Sequence, residues 1–236
     1  LKLDGQTLAD IYQGKISKWN DAAIAKLNPG VTLPSTAIAT VYRSDGSGTN
    51  FLFTNYLSQA SASFKDKIGA NTAVEWPAGI GAKGNEGVAN MTKQTDGAIG
   101  YVEYAYAKQN KMTYVDMVNK DGKVIEPKAS AFAAAAASAD WANAKGYYLV
   151  LTNQPGAESW PITGASFIIV YRQPQNGAAV ADALKFFAWA YKNGAKQAED
   201  LDYVPMPANV VALVQKTWGD IKGADGKQVW AGAAAH

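Results

Sequence analysis

Arg43-Ser44-Asp45-Gly46-Ser47-Gly48-Thr49 lies between a strand-like run and a helical one. Before it, Ile38, Thr40 and Tyr42 alternate with Ala39 and Val41, as in a half-buried strand. After it, Asn50 to Leu57 reads as a short helix carrying Phe51, Leu52, Phe53 and Tyr56. In such a strand–loop–helix unit the first-turn N–H groups of the helix open onto the loop. Small residues there leave them uncovered, as gripping an oxyanion requires. Gly46 and Gly48 permit the positive φ angles that curl consecutive N–H groups into a concave nest. Ser47 and Thr49 add hydroxyl donors, and Arg43 adds a planar fork matched to carboxylate or phosphate oxygens.

The plainer reading of the same residues is a turn with a serine or threonine N-cap, worth about 1 kcal/mol and binding nothing. Composition favours the anion site. Lys and Arg total 22, yet Arg43 and Arg172 are the only arginines, and Arg43 opens the only Gly-Ser-Gly-Thr loop. Asp45 looks misplaced beside an anion until it is read as the group that orients Arg43. Its carboxylate holds the guanidinium in one pose while the remaining N–H donors face the ligand.

The 236 residues have room for one large domain or two small ones, each with a core. Hydrophobic residues make up 48% and charged ones 18%, a globular rather than a disordered balance. A net charge of +2 is too small and dispersed for a nucleic-acid footprint. No apolar run approaches the roughly 18 residues of a membrane span. There is no cysteine, and the only histidine is His236, so cysteine–histidine zinc sites, cysteine nucleophiles and Ser-His-Asp relays lack their parts. The absence of cysteine suits either redox compartment. The chain starts at Leu1 without a methionine or a signal-peptide pattern, which points to a processed or truncated start.

Along the chain, Thr7 is expected to cap a helix through Leu8, Ile11 and Tyr12 that stops at Gly14, and Asn20 or Asp21 to cap the next. Phe64 to Ile68 continues a helical pattern. Val74-Glu75-Trp76-Pro77 reads as a strand entering a second glycine-rich loop, Gly81-Ala82-Lys83-Gly84-Asn85-Glu86-Gly87, before a helix near Val88. Lys83 offers a second anion contact there, but without a Gly-Lys-Ser/Thr ending a cap and turn is preferred. Ala98 to Val102 reads as a strand, followed by a helix with Tyr104 and Tyr106, a packed face rather than a sugar site. Asn119 to Lys123 is a hairpin turn, and the Ala131 to Ala139 tract is helix or solvated linker. Phe167-Ile168-Ile169-Val170-Tyr171 is the most strand-like run, apolar enough for burial on both faces of a parallel sheet. Val180, Leu184, Phe187 and Tyr191, then Val210, Leu213, Val214 and Trp218, mark two further helices. Alternating strands and helices give an α/β fold.

Several motifs recur in a recognisable order: Leu3-Asp4-Gly5, Trp19-Asn20-Asp21, Leu27-Asn28-Pro29-Gly30 and the Arg43 to Thr49 loop. Gly84-Asn85-Glu86-Gly87-Val88, Gly97-Ala98-Ile99-Gly100-Tyr101-Val102-Glu103-Tyr104-Ala105 and Trp160-Pro161-Ile162-Thr163 follow. Leu184-Lys185-Phe186-Phe187, Trp189-Ala190 and Gly194-Ala195-Lys196-Gln197-Ala198 complete the set. Together they resemble the periplasmic phosphate-binding proteins of bacterial ABC-type phosphate importers, over nearly the whole chain up to Lys227. The resemblance implies a two-lobed α/β clamshell, type II-like among periplasmic binding proteins, closing over one dehydrated phosphate. Arg43 would pair with phosphate oxygens, Asp45 would hold Arg43, and Ser47, Gly48 and Thr49 would donate from hydroxyls and amides. It also implies a periplasmic monomer without its signal peptide, delivering inorganic phosphate to an ABC transporter permease, with no nucleic-acid partner, cofactor, metal or catalytic residue. Lys15 and Lys18 read as solvated surface rather than as permease contacts.

On the family layout, residues 1–161 form the second lobe and residues 162–236 the C-terminal part of the first. The segment that family members carry ahead of Leu1 is expected to be missing, leaving the first lobe incomplete and Phe167 to Tyr171 short of neighbouring strands. That segment supplies a further phosphate-contacting loop and the aspartate that accepts the proton of hydrogen phosphate, a role Asp45 does not fill. This chain alone is therefore expected to bind phosphate weakly and to separate it poorly from sulfate. The alternatives are a receptor for another oxyanion, sulfate or molybdate, and an enzyme acting on phosphate esters through Ser47. The enzyme lacks a histidine base and a Gly-x-Ser-x-Gly match.

Overall fold

The computed structural model describes residues 1–230 and 232; His236 lies outside them. The chain divides into two units, Leu1–Ser138 with Val150–Gly164, and Ala139–Leu149 with the residues from Ala165 onward.

The first unit opens with β1 (Lys2–Leu3) and α1 (Gly5–Tyr12). Asp4, not Thr7, caps α1: its carboxylate accepts from the Thr7 amide at 2.7 Å, and Thr7 is buried inside the first turn. An extended aspartate just ahead of the helix reaches the third amide, which a residue already in helical conformation does not. Gly14, at φ 74°, turns the chain away after α1. Asp21 caps α2 (Ala22–Leu27) through the Ala23 amide. Then come β2 (Ala39–Arg43), α3 (Gly48–Ala60) and α4 (Ala62–Lys67). β3 (Ile80–Ala82), α5 (Gly84–Gln94), β4 (Ala98–Ile99) and α6 (Tyr104–Gln109) follow. β5 (Asp116–Val118) and β6 (Val124–Ile125) form the expected hairpin, and α7 (Ala129–Ala137) turns the alanine tract into helix.

Two small sheets organise this unit. In one, β2 is central and pairs in parallel with β3 (Val41 opposite Ile80, Arg43 opposite Ala82) and with β4 (Ala39 opposite Ala98). In the other, β5 pairs in parallel with β1 and antiparallel with β6. Arg43 thus ends the central strand of a parallel sheet at its carboxyl end, where ligands bind in open α/β sheets.

Behind β2 the core is aromatic. Tyr12 meets Phe53 edge-on at 4.8 Å, Trp76 at 5.3 Å and Tyr101 at 5.9 Å between ring centroids. The Tyr12 hydroxyl is shared between the carbonyls of Val41 (3.3 Å) and Ile99 (3.2 Å), tying the helix to β2 and β4 at once. Gly97, between α5 and β4, sits at φ +69°, and a Cβ there would lie 2.4 Å from the Ala37 carbonyl. Only glycine fits that approach.

Three expectations are corrected here. Val74 to Pro77 is not a strand: Trp76 leaves the backbone ladder to stack on Tyr42 at 5.6 Å and fill the aromatic core. The fourth strand covers only Ala98–Ile99, because the Tyr101 ring turns into the core. The helix expected near Val88 begins a turn earlier, at Gly84.

The second unit holds α8 (Gly177–Asn193), α9 (Ala195–Asp200) and α10 (Ala208–Trp218). Leu184, Trp218 and Ile221 are its buried centre, packed by Val180, Phe187, Val214, Val229 and Trp230. Phe167 to Tyr171 is neither strand nor buried on both faces: Ile169 is 95% and Tyr171 83% exposed. An apolar run becomes a strand only when another backbone takes up its amides and carbonyls, and none among the described residues pairs with it.

Replacing Tyr12 by Phe keeps the ring and removes one proton shared by two carbonyls. The expected loss is about 1 kcal/mol of unfolding free energy, read from a urea midpoint at unchanged m-value. An unchanged midpoint would mean that the hydroxyl does not tie α1 to the sheet.

Candidate anion-binding site

The loop Ser44 to Ser47 leaves β2 and enters α3 directly. Ser47 is extended (φ −149°, ψ 135°), and its Oγ accepts from the Asn50 amide at 3.3 Å, so it is the N-cap. Capping uses the oxygen of Ser47 and leaves its proton to donate, so the cap does not exclude an anion there. Gly46 and Gly48 do not form the expected nest, as neither has positive φ. Their use is spatial: a Cβ on either would meet nothing within 4 Å, so the loop backbone is open. Gly48 is already the first residue of α3, which is why its φ is helical rather than left-handed.

Some of the amides here have partners. Ser44 N donates to the Ala82 carbonyl at 3.0 Å, Ser47 N to the Thr72 carbonyl at 2.9 Å and Phe51 N to the Ser47 carbonyl at 3.0 Å. The amides of Gly48 and Thr49 have no acceptor among the described residues. They are the leading donors of a 13-residue helix, where the macrodipole favours negative charge. Thr49 itself is half-buried.

Arg43 and Asp45 form a parallel fork, Nε to Oδ1 and Nη2 to Oδ2, both 2.8 Å. The Arg43 side chain is 9% exposed and that of Asp45 36%. Asp45 Oδ1 also accepts from the Gly84 amide at 3.1 Å. The second glycine-rich loop thus serves an oxyanion, but that oxyanion is the protein's own carboxylate held at the N-terminus of α5. Lys83 precedes α5 without a capping bond from its side chain. Hydrogen bonds from Arg43, then from Gly84, hold the Asp45 carboxyl well below the usual carboxylate range. The same pairing raises Arg43 above its ordinary value. Asp45 occupies Nε and Nη2; Nη1 lies outside the fork.

All five expected residues, Arg43, Asp45, Ser47, Gly48 and Thr49, therefore lie between the last residue of β2 and the first turn of α3. Sequence reading missed their supports. Tyr101 accepts from the Arg43 amide at 3.0 Å, and its hydroxyl donates to Asn50 Oδ1 at 2.5 Å. Asn50 Nδ2 donates to the Asn71 carbonyl at 3.0 Å. Burial pushes the Tyr101 phenol well up, so it remains a donor. The only local signal was an asparagine three residues into the helix. Tyr104, in α6, packs edge-on against Phe132 at 5.2 Å, a packed helix face. Among the described residues, no group of three or more His, Cys, Asp or Glu is arranged to hold a metal, and no helix is long and apolar enough to cross a membrane.

A family model described as a PBP superfamily domain matches residues 1–193. The chain is 54% identical to the phosphate-binding protein PstS of Xylella fastidiosa (strain 9a5c), over 92% of this chain and 60% of that one. It is 49% identical to the phosphate-binding protein PstS of Pasteurella multocida, over 98% and 67% respectively. Among solved structures it is similar to a human phosphate binding apolipoprotein, with a TM-score of 0.63 at 20% identity, covering 91% of this chain and 66% of that one. The chain spans about three fifths of the length of its Xylella relatives, 60% in each strain. The α/β fold and the match over most of the sequence agree, and the chain, similar to phosphate-binding proteins of the PstS kind, belongs to the PBP superfamily.

Proposed function

We propose that this chain captures inorganic phosphate at the Arg43 to Thr49 loop, as part of a periplasmic solute-binding protein that hands it to an ABC-type permease. The observation that carries the reading is the Arg43 guanidinium, fixed by Asp45, at one end of a loop whose other end carries the first-turn amides of Gly48 and Thr49, without an acceptor among the described residues. Phosphate would take N–H bonds from Gly48 and Thr49, hydroxyl bonds from Ser47 and Thr49, and the Nη1 edge of Arg43. Relatives named as phosphate-binding proteins support the identity of the anion. The resemblance to importer binding proteins supports the periplasm and the permease. Capture and release need donors only, so the chain acts as a binding protein rather than an enzyme. The same resemblance supports a monomer. On the family layout residues 1–161 would form one lobe of the clamshell and residues 162–236 part of the other.

Phosphate has five heavy atoms, and about 1.5 kcal/mol for each gives a ceiling near micromolar. Donors from one loop satisfy one side of the anion. Calorimetric titration of phosphate into the anion-free chain should therefore show saturable binding weaker than about 1 μM, with sulfate competing. Arg43→Lys keeps charge but loses the fork and should weaken binding roughly tenfold, while Arg172→Lys leaves it unchanged. Absence of saturable heat up to about 1 mM phosphate, or indifference to Arg43→Lys, would sink the assignment.

The lowered Asp45 pKa also predicts a pH dependence. A carboxylate depressed by folding contributes stability that is complete above its unfolded pKa, near 3.9, and is lost as pH falls through the folded one. The stability difference between the native chain and Asp45→Asn should hold constant from about pH 7 to pH 5 and shrink below about pH 4. Partial exposure of Asp45 keeps this difference small. A difference that grows on acidification would refute the pairing.

A further inference from the structure

We propose that Tyr101 is the positioning residue of the anion loop, its hydroxyl joining the loop's two ends at one buried atom; its effect on phosphate rests on the reading above. The Arg43 amide, at the end of β2, donates to Tyr101 Oη at 3.0 Å. The same oxygen donates to Oδ1 of Asn50, in the first turn of α3, at 2.5 Å. Asn50 is fully buried and Tyr101 9% exposed, so water does not replace either bond cheaply. One hydroxyl therefore fixes the separation between the strand that carries the guanidinium and the helix turn that carries the free amides.

Packing alone does not call for that hydroxyl. The Tyr101 ring stacks on Phe53 at 4.0 Å and meets Tyr12 edge-on, contacts that a phenylalanine would keep. The hydroxyl adds the two bonds to the loop ends. Asn50 then passes the tie outward. Its Nδ2 reaches the Asn71 carbonyl, and the neighbouring Thr72 carbonyl takes the Ser47 amide. Thr54 Oγ1 braces the same segment, accepting from the Asn71 amide at 3.2 Å and donating to the Asn50 carbonyl at 2.8 Å. Arg43, Ser47 and Asn50 are thereby each anchored, while Gly48 and Thr49 between them keep their donors open. Anchored neighbours and uncommitted donors are the arrangement that pre-orders a site before its ligand arrives.

Two measurements on the full chain, with the variants Tyr101→Phe and Phe53→Leu, decide the matter. Amide hydrogen exchange without ligand should quicken about tenfold at Arg43 in Tyr101→Phe, with Val41 in the same strand unchanged. Phosphate affinity in the same variant should fall about tenfold. Phe53→Leu removes the stacking partner and keeps the hydroxyl. It should lower the unfolding midpoint yet leave Arg43 exchange and phosphate affinity within about twofold of the parent. Unchanged Arg43 exchange in Tyr101→Phe, or an equal rise throughout β2, would overturn the tether. Unchanged affinity with faster exchange would overturn its effect on binding. Should the parent chain itself bind no phosphate, the functional reading fails, and the Arg43 exchange rate still decides whether Tyr101 holds the loop.

Discussion

The aromatic cluster of Tyr12, Phe53, Trp76 and Tyr101 behind β2 is the constraint on which the first unit's fold depends. Each ring comes from a different part of the first unit: α1, α3, the segment before β3, and the segment after β4. Burying them together removes a large apolar area from water and pins those segments to one face of the central strand. Two members also carry hydroxyls aimed at backbone. Tyr12 holds β2 against β4 at mid-strand, and Tyr101 holds the end of β2 against α3. Core packing and loop geometry are thus a single problem. A loop of four residues between two fixed ends has little freedom of its own, so its geometry follows the Tyr101 hydroxyl that joins those ends.

The same division explains what the sequence made legible. The β2–loop–α3 unit was readable because each signal is local: alternation in Ala39 to Tyr42, a capping serine, and a helical pattern immediately after. The Arg43–Asp45 fork was readable because the partners are two residues apart and chemically matched. Tyr101 lies 58 residues from Arg43, and nothing in its neighbourhood announces a bond across that distance. The Asp45–Gly84 bond, spanning 39 residues, was hidden for the same reason. Phe167 to Tyr171 was misread because burial belongs to an assembly of strands, and an apolar run carries no information about whether partners exist. Trp76 failed in the opposite sense: its β propensity was overridden by a place in the aromatic core. Gly46 and Gly48 do not curl into the expected nest, and open space rather than left-handed backbone is what they provide.

The fork also determines what kind of attraction the proposed site exerts. Asp45 remains ionised throughout the neutral range and lies against Arg43 on two bonds, so the pair is nearly neutral from a distance. Little long-range field remains to draw in anions, or to admit them indiscriminately. What remains acts at hydrogen-bond range: two helix amides and one guanidinium edge of fixed direction, with two hydroxyls that rotate to suit. A site built this way discriminates by whether an anion's oxygens meet those donors, and its affinity depends less on ionic strength than a bare arginine pocket would. The carboxylate that first looks misplaced in an anion site therefore exchanges indiscriminate charge for direction, and that exchange holds only while Arg43 and the first turn of α3 stay in register.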